Sequence, residues 1–448
     1  MKNAEIFISH SNEEAEFAFE LQTMFRNHGL QAWSFEINLP WSAEIAETVR
    51  QEINQCDHFV LILSDAACQS AWVQQELGLA VQLRTEREEE CPTILGVMCD
   101  SPCTSMQVQP RDFDTHMIFG SPYDFTRIRN FNLSSRTATD EIGELTQELK
   151  PTVDFITHTD PSEPEGELLQ KSFKVYESLF PEEERSPPMD IETWIDESRL
   201  QANSGGSIRE IYGVLHIRQI PLGMAYLTAY LDHHWTFGNY FGVRAGRRGL
   251  RRAEFFLDRI QDEFHEEHMD PEMKGIFFEV EPIDQELLSA VVERGRICGF
   301  PDEHNVLQQI RKLRRLNLYQ AKGCVVLLRG DNQQPLPYWQ PSMRKAFDPE
   351  GELPLILMAY LFEGTDKANI NLSEILDFVY DSLYGDAYGG LGEVELEGYR
   401  PYVQTIRDKV EAAAATYGWK LDKMSIKRQL SKLKYMAHEE GISDSIDL

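Results

Sequence analysis

The chain has 448 residues, 42% of them apolar, which is enough for two or three packed domains and excludes a disordered chain. Its formal net charge is -31, from 43 Lys+Arg against 74 Asp+Glu, a surface that repels nucleic acid and anionic lipid, so neither is an expected partner. Seven cysteines with no CxxC pair, an N-terminus unlike a signal peptide and no 18-residue apolar run lead to the expectation of a reduced, cytoplasmic protein with no zinc and no membrane span.

Residues 1–158 alternate strand and helix patterns. Glu5–Ser9 (EIFIS) reads as a buried parallel strand. Asn12–His28 carries Phe17, Leu21, Met24 and Phe25 at helical spacing and ends at Gly29, a C-cap. Leu30–Phe35 is a second strand, Ile37–Ser42 a loop, and Ser42–Gln55 a helix. His58–Leu63 is a strand, Ala66–Arg84 one long helix, and Thr93–Met98 a strand. Ile118–Phe119 is a candidate fifth strand and Thr137–Ile156 a closing helix. Such alternation predicts a doubly wound parallel sheet, whose ligands bind beyond the carboxyl ends of the strands. Ser9–Ser11, the Ile37–Trp41 loop and the start of the third helix would then share one crevice.

His158–Glu167 (HTDPSEPEGE), with two prolines and a glycine, is the linker candidate. Beyond it, Leu168–Leu179 is helical, and Ile211–Ile217 and Met224–Ala229 are strands. Val243–Arg252 is a Gly/Arg loop opening a helix that runs to Phe264, and Ile276–Glu281 is a strand. Ser289–Val292 and Val306–Gln320 are helical, and Cys324–Leu328 and Leu355–Phe362 are strands. Residues 371–384 and 401–416 are amphipathic helices, followed by a basic helix and an acidic tail. The expected division is 1–158, a linker at 159–167, a second domain at 168–365 and a helical extension at 366–448.

Trp72 and Glu76 are four residues apart and share a helix face. A carboxylate at the mouth of an α/β crevice suits glycosidic chemistry, because it can hold ribose hydroxyls and stabilise an oxocarbenium-like sugar. Trp33, Trp41 and Trp72 are available to stack on ring systems. The alternative for Trp72 and Glu76 is a core aromatic beside a solvated acid.

The stretches FISHSNEEAEFAFELQTMFRNHGLQAW and SAEIAETVRQEINQCDHFVLILSDAACQSAWVQQELGLA resemble bacterial TIR domains, over about residues 4–156. The resemblance implies a flavodoxin-like fold and cleavage of NAD, with Glu76 of the W-x-x-x-E helix as the catalytic residue and Trp72 beside it. It implies that Ser9, His10 and Ser11 line the NAD site and that Trp41 lies in a loop that rearranges on activation. Many relatives have Gly-Asp-Ser where this chain has Pro40-Trp41-Ser42.

Arg244, Arg247, Arg248, Arg251 and Arg252 place five cations in nine residues of an acidic chain, with Gly246 and Gly249 among them. A Gly-rich turn at a helix start is suited to phosphate, and arginines add bidentate contacts. The alternative is a basic helix face paired with acids. The order of elements around this loop, the FFEVE strand and the helix ending NLYQAKG resemble a GNAT acetyltransferase, an α+β fold, over roughly 167–362. That resemblance implies acetyl-CoA or CoA on the arginine loop, Tyr319 as proton donor to the thiolate, and Glu279 or Glu281 as base. Aligning Gly249 on the first motif glycine leaves Arg251 where the second belongs. His265-Glu-Glu-His268 is not a metal motif, and the basic helix Lys420–Lys434 reads as packed rather than as a nucleic-acid contact.

The expectation is therefore a TIR-domain NAD hydrolase of a prokaryotic antiviral defence system. A C-terminal GNAT-like module would regulate it, a phage-derived or small-molecule trigger would activate it, and it would work as a homo-oligomer assembled through its TIR domains. The alternative is an acyl-CoA-dependent N-acyltransferase in which the TIR domain only mediates assembly.

Overall fold

The computed structural model describes residues 5–34, 43–86, 92–99, 129–131, 149–203, 205–217, 219–244, 250–266, 270–332, 334–342, 352–384, 393–440 and 442. The chain divides into two compact units, the first built on Met1–Thr152 and the second on the bulk of Val153–Leu448.

The first unit is a five-stranded parallel sheet. Its strands are β1 (Ile6–Ser9), β2 (Ala32–Ser34), β3 (His58–Leu63), β4 (Thr93–Cys99) and β5 (Arg129–Phe131), in the order β2-β1-β3-β4-β5. All four residues of β1 are buried, as the EIFIS run predicts, because helices cover both faces. Ile6 and Ile8 pack with Ala18, Leu21 and Phe25 of α1 (Ala15–Asn27). Phe7 points the other way, onto Val49 and Ile53 of α2 (Ala43–Gln55) and Val73, Leu77 and Ala80 of α4 (Ala71–Glu86). Gly29 follows α1 with φ +87°, the left-handed conformation that a glycine stop supplies.

Two expectations change here, and a third lies outside the described residues. The long helix over Ala66–Arg84 is two, α3 (Asp65–Gln69) and α4, broken where Ser70 is extended at ψ 113°. Ser64 caps α3 through Ala67 N–H at 2.9 Å, and Ser70 Oγ accepts from Val73 N–H at 3.4 Å, so each piece has its own start signal. The fifth strand is β5, while Ile118–Phe119 lies outside the described residues. The end of the expected closing helix, Thr152–Ile156, is strand β6, and it is the edge of the second sheet. The TVDFI run is rich in residues that favour strands, and pairing with a neighbour outweighs a helical start.

The second unit is a nine-stranded mixed sheet. It contains β6, β7 (Ile208–Ile217), β8 (Ile220–Tyr230), β9 (Trp235–Val243), β10 (Gly275–Val280), β11 (Val325–Arg329), β12 (Tyr338–Gln340), β13 (Leu353–Leu361) and β14 (Trp419–Asp422). The order is β14-β11-β13-β10-β9-β8-β7-β6, with β12 paired to β13. The pair β9–β10 is parallel, whereas β8–β9, β10–β13, β11–β13 and β11–β14 are antiparallel. Helices α5 (Pro164–Leu179) and α6 (Pro188–Asn203) follow β6, α7 (Leu250–Glu266) joins β9 to β10, and α8 (Gln285–Arg294) and α9 (Glu303–Ala321) precede β11. The C-terminal part adds α10 (Leu372–Leu376), a π-helix at Asp377–Leu383, α11 (Glu393–Tyr417) and α12 (Lys427–Glu439).

Strand β9, helix α6 and strands β12 and β14 were not expected from the sequence. In β9 the run WTFGNYFGV holds two glycines, which weaken a strand signal. Packing explains one of them. A Cβ on Gly238 would stand 2.2 Å from the Phe278 ring, so only glycine lets that ring lie across β9. Trp235, Phe277, Leu357, Phe378 and Tyr399 centre the core on one face of this sheet.

Candidate active site around Glu76

Strand β1 ends in Ser9, and the chain then turns through His10 and Ser11. Ser11 caps the short 3-10 helix Asn12–Glu14, its Oγ accepting from Glu13 N–H at 3.2 Å. Glu14 closes the box by accepting from Ser11 N–H at 3.2 Å and from the Ser11 hydroxyl. His10 is buried too; its Nδ1–H donates to the Ser11 carbonyl at 2.7 Å, which fixes the ring. The loop after β1 is therefore held by its own bonds before any ligand arrives.

Helix α4 is pinned to the sheet by Val73, Leu77 and Ala80, so its orientation is set by packing. That packing turns Glu76 inward, to 2% exposure. Two donors meet its carboxylate. Ser9 Oγ–H donates to Oε2 at 2.6 Å, and Trp72 Nε1–H donates to Oε1 at 2.6 Å. Burial pushes the Glu76 carboxyl up to about 8, against the opposing effect of the two hydrogen bonds. At neutral pH the group is held mostly protonated, and a cation developing beside it would favour the carboxylate.

Of the candidate residues, the structure joins Ser9, Trp72 and Glu76 directly and sets His10 and Ser11 next to them along the chain. Trp33 is half-buried in the middle of β2, with its ring 5.1 Å from that of Phe7, so it rests on the core. Trp41 lies outside the described residues. Glu14, buried at 7% exposure, holds the loop after β1 through Ser11, and the S-x-x-E spacing carries its signal.

Gly246, Arg247, Arg248 and Gly249 lie outside the described residues. Arg244 follows β9, and Arg251 falls in the first turn of α7. Tyr319 is on the last turn of α9, where its carbonyl accepts from Lys322 and Cys324 N–H at 3.0 and 3.1 Å. The two acids of the FFEVE strand have different surroundings. Glu281 is exposed and paired with Lys312 at 3.3 Å. Glu279 accepts from the buried hydroxyl-bearing side chains Tyr338 and Tyr384, and burial pushes its carboxyl up. Neither tyrosine was a sequence candidate, because β12 and the π-helix bring them from about 60 and 105 residues away. Among the described residues no three His, Cys, Asp or Glu side chains are placed to hold a metal, and no helix is long and apolar enough to cross a membrane.

Residues 6–128 match the family model of the TIR domain. The chain carries a TIR domain. Among solved structures, the TIR domains of the activated Roq1 resistosome recognising the pathogen effector XopQ are similar at 17% identity, covering 32% of this chain and 98% of that one, with a TM-score of 0.24. The ribosomal-protein-S18-alanine N-acetyltransferase from Escherichia coli is similar at 12% identity, covering 50% of this chain and 100% of that one, with a TM-score of 0.25. The PaiA N-acetyltransferase from Thermoplasma acidophilum, in complex with coenzyme A, is similar at 10% identity, covering 47% and 99%, with a TM-score of 0.20. No curated protein matches the chain. After the TIR domain comes a mixed sheet with helices, in which α7 joins the parallel pair β9–β10.

Proposed function

We propose that the TIR domain cleaves the nicotinamide–ribose bond of NAD, with Glu76 as the carboxylate that faces the reacting ribose. The observation that carries this is the geometry of Glu76: a buried carboxyl at the end of the parallel sheet, with one oxygen on Ser9 and the other on Trp72. In the reaction the C1′–N bond breaks and its electron pair goes to the nicotinamide ring, neutralising the pyridinium. The ribose is left cationic at C1′. Water then adds there and releases a proton, giving nicotinamide and ADP-ribose; attack by another group of the same molecule would give a cyclic product. Glu76 would stabilise the ribosyl cation and hold its hydroxyls. Ser9, His10 and Ser11 would line the site, and Trp72, Trp33 and Trp41 would flank the rings.

The GNAT-like domain is then the regulatory module of a prokaryotic antiviral effector in the cytoplasm, answering a phage-derived or small-molecule trigger through assembly of TIR domains. A constitutive NADase would exhaust the cell that makes it, which favours such control. The test is incubation of the full chain with NAD, with and without candidate triggers, following nicotinamide by chromatography. Wild type should turn over, and Glu76→Ala should lose at least about a hundredfold. Turnover equal in the two proteins overturns the reading.

The second reading, acyl transfer from acyl-CoA, draws on Glu279. A carboxyl raised by burial on the FFEVE strand has the character of a base. Its bonds from Tyr338 and Tyr384 occupy that lone-pair capacity, which favours a structural role. Acetyl-CoA should raise the melting temperature of the full chain if this reading holds, and an Arg247→Ala/Arg248→Ala double variant should lose the shift.

A further inference from the structure

The segment Lys420–Lys434 carries six cations and one carboxylate in a chain whose net charge is -31. Three of those cations, Lys423, Lys427 and Arg428, line an open cleft of about 580 Å³ with Ser425 and Ser431. All five side chains are exposed. Among the described residues, none of these cations has a carboxylate within salt-bridge distance, and neither do Lys432 and Lys434 beyond them. Some exposed cations elsewhere do have one, as Arg199, Lys367 and Lys409 show. Two acids near in sequence are engaged by other groups. Asp422 takes Lys367, and Glu440 accepts from Ile297 and Cys298 N–H at 2.8 and 2.6 Å.

The basic face does not drift, because its other side is anchored. Met424, Ile426, Leu430 and Leu433 are all buried. The sequence expectation of a packed C-terminal helix describes that side, and the cations form the opposite one. Tyr435 is 67% exposed. It lies seven residues beyond Arg428 and three beyond Lys432, so helical geometry puts the ring on their face, about 10 Å along the axis from Arg428.

We propose that this face binds a nucleotide, with its phosphates in the Lys423–Lys427–Arg428 cleft and its base against Tyr435. Cations without a carboxylate partner among the described residues, set around a concave surface, supply charge-assisted bonds to phosphate, with Arg428 able to make two at once. The exposed ring supplies the stacking platform at a separation that a nucleoside diphosphate spans. The cleft has the size of a small-molecule site rather than of a nucleic-acid groove. A long strand would also carry its flanking phosphates over the remaining surface, which is more acidic than the chain as a whole.

The experiment is fluorescence anisotropy of the full chain with a fluorescently labelled ADP, at low and raised ionic strength. Binding should weaken with salt, and Lys427→Glu/Arg428→Glu should weaken it at least about tenfold. Tyr435→Ala should weaken the labelled ADP about tenfold while leaving competition by inorganic pyrophosphate unchanged, because pyrophosphate has no ring to stack. Circular dichroism should be the same for all variants, and Lys427→Gln/Arg428→Gln should give an intermediate loss. No binding by wild type, or equal binding by wild type and the charge-reversed variant, overturns the proposal. Tighter binding of a single-stranded oligonucleotide than of the labelled ADP overturns it in favour of a nucleic-acid surface.

Discussion

Ser9 Oγ lies 2.6 Å from Glu76 Oε2 although 67 residues separate the two along the chain. The contact joins the end of the first strand to the second turn of α4, and Trp72 occupies the other oxygen from one turn earlier. Glu76 thus has both oxygens engaged and almost no exposure. In the proposed reaction a ribose hydroxyl has to take the place of one of these donors. Ser9, whose hydroxyl turns about a single bond, is the easier of the two to displace.

Ser9→Ala removes a bond that holds the Glu76 carboxyl down, so that carboxyl rises further above about 8. If the reaction needs the carboxylate, the acid limb of the kcat/KM profile moves to higher pH by about one unit, the scale of a lost bond to a charged group. The profile of nicotinamide release checks this. An unmoved limb would mean that Glu76 is not the group whose ionisation limits the rate.

Trp72→Phe keeps a ring but loses the indole N–H that serves Glu76 Oε1. Its effect on the profile has the same sign as that of Ser9→Ala. It should also raise KM, because the smaller ring stacks less well, whereas Ser9→Ala should leave KM nearly unchanged. Steady-state kinetics on the two variants separate the roles. Equal changes in both constants for both variants would count against the division.

The Glu76 carboxyl also links stability to pH. Unfolded, it ionises near 4.5, and folded near about 8. Between those values the folded state holds one proton more, so stability falls as pH rises from about 4.5 to about 8. The loss is on the order of a few kcal/mol at the upper end. Glu76→Gln does not titrate. It should raise the melting temperature at pH 8 and change it little at pH 5, by differential scanning calorimetry. The same shift at both pH values would remove the linkage.

Gly238→Ala tests the packing of the second sheet. The added methyl would meet the Phe278 ring, which is 9% exposed and cannot swing clear. A loss of about 1–3 kcal/mol is expected from chemical denaturation. Phe278→Leu combined with Gly238→Ala should recover part of it, since the space the methyl needs is then vacated.

Much of the first unit was legible in the sequence because its signals are local. The apolar run of β1, the helical spacing of Phe17, Leu21 and Phe25, the glycine stop at Gly29 and the i, i+4 relation of Trp72 and Glu76 each lie within one turn or one strand. The Ser11–Glu14 box is local in the same way, its signal lying within four residues. Tertiary structure decided what depends on distant partners. Thr152–Ile156, the end of an expected helix, became strand β6 of the second sheet, and β9 became a strand around the glycine that Phe278 requires. Tyr338 and Tyr384 reached Glu279 across the sheet, and Ser9 reached Glu76. Burial decided the rest. A carboxyl's ionisation is set by what packs over it and which donors meet it, and those groups come from parts of the chain that only folding brings together.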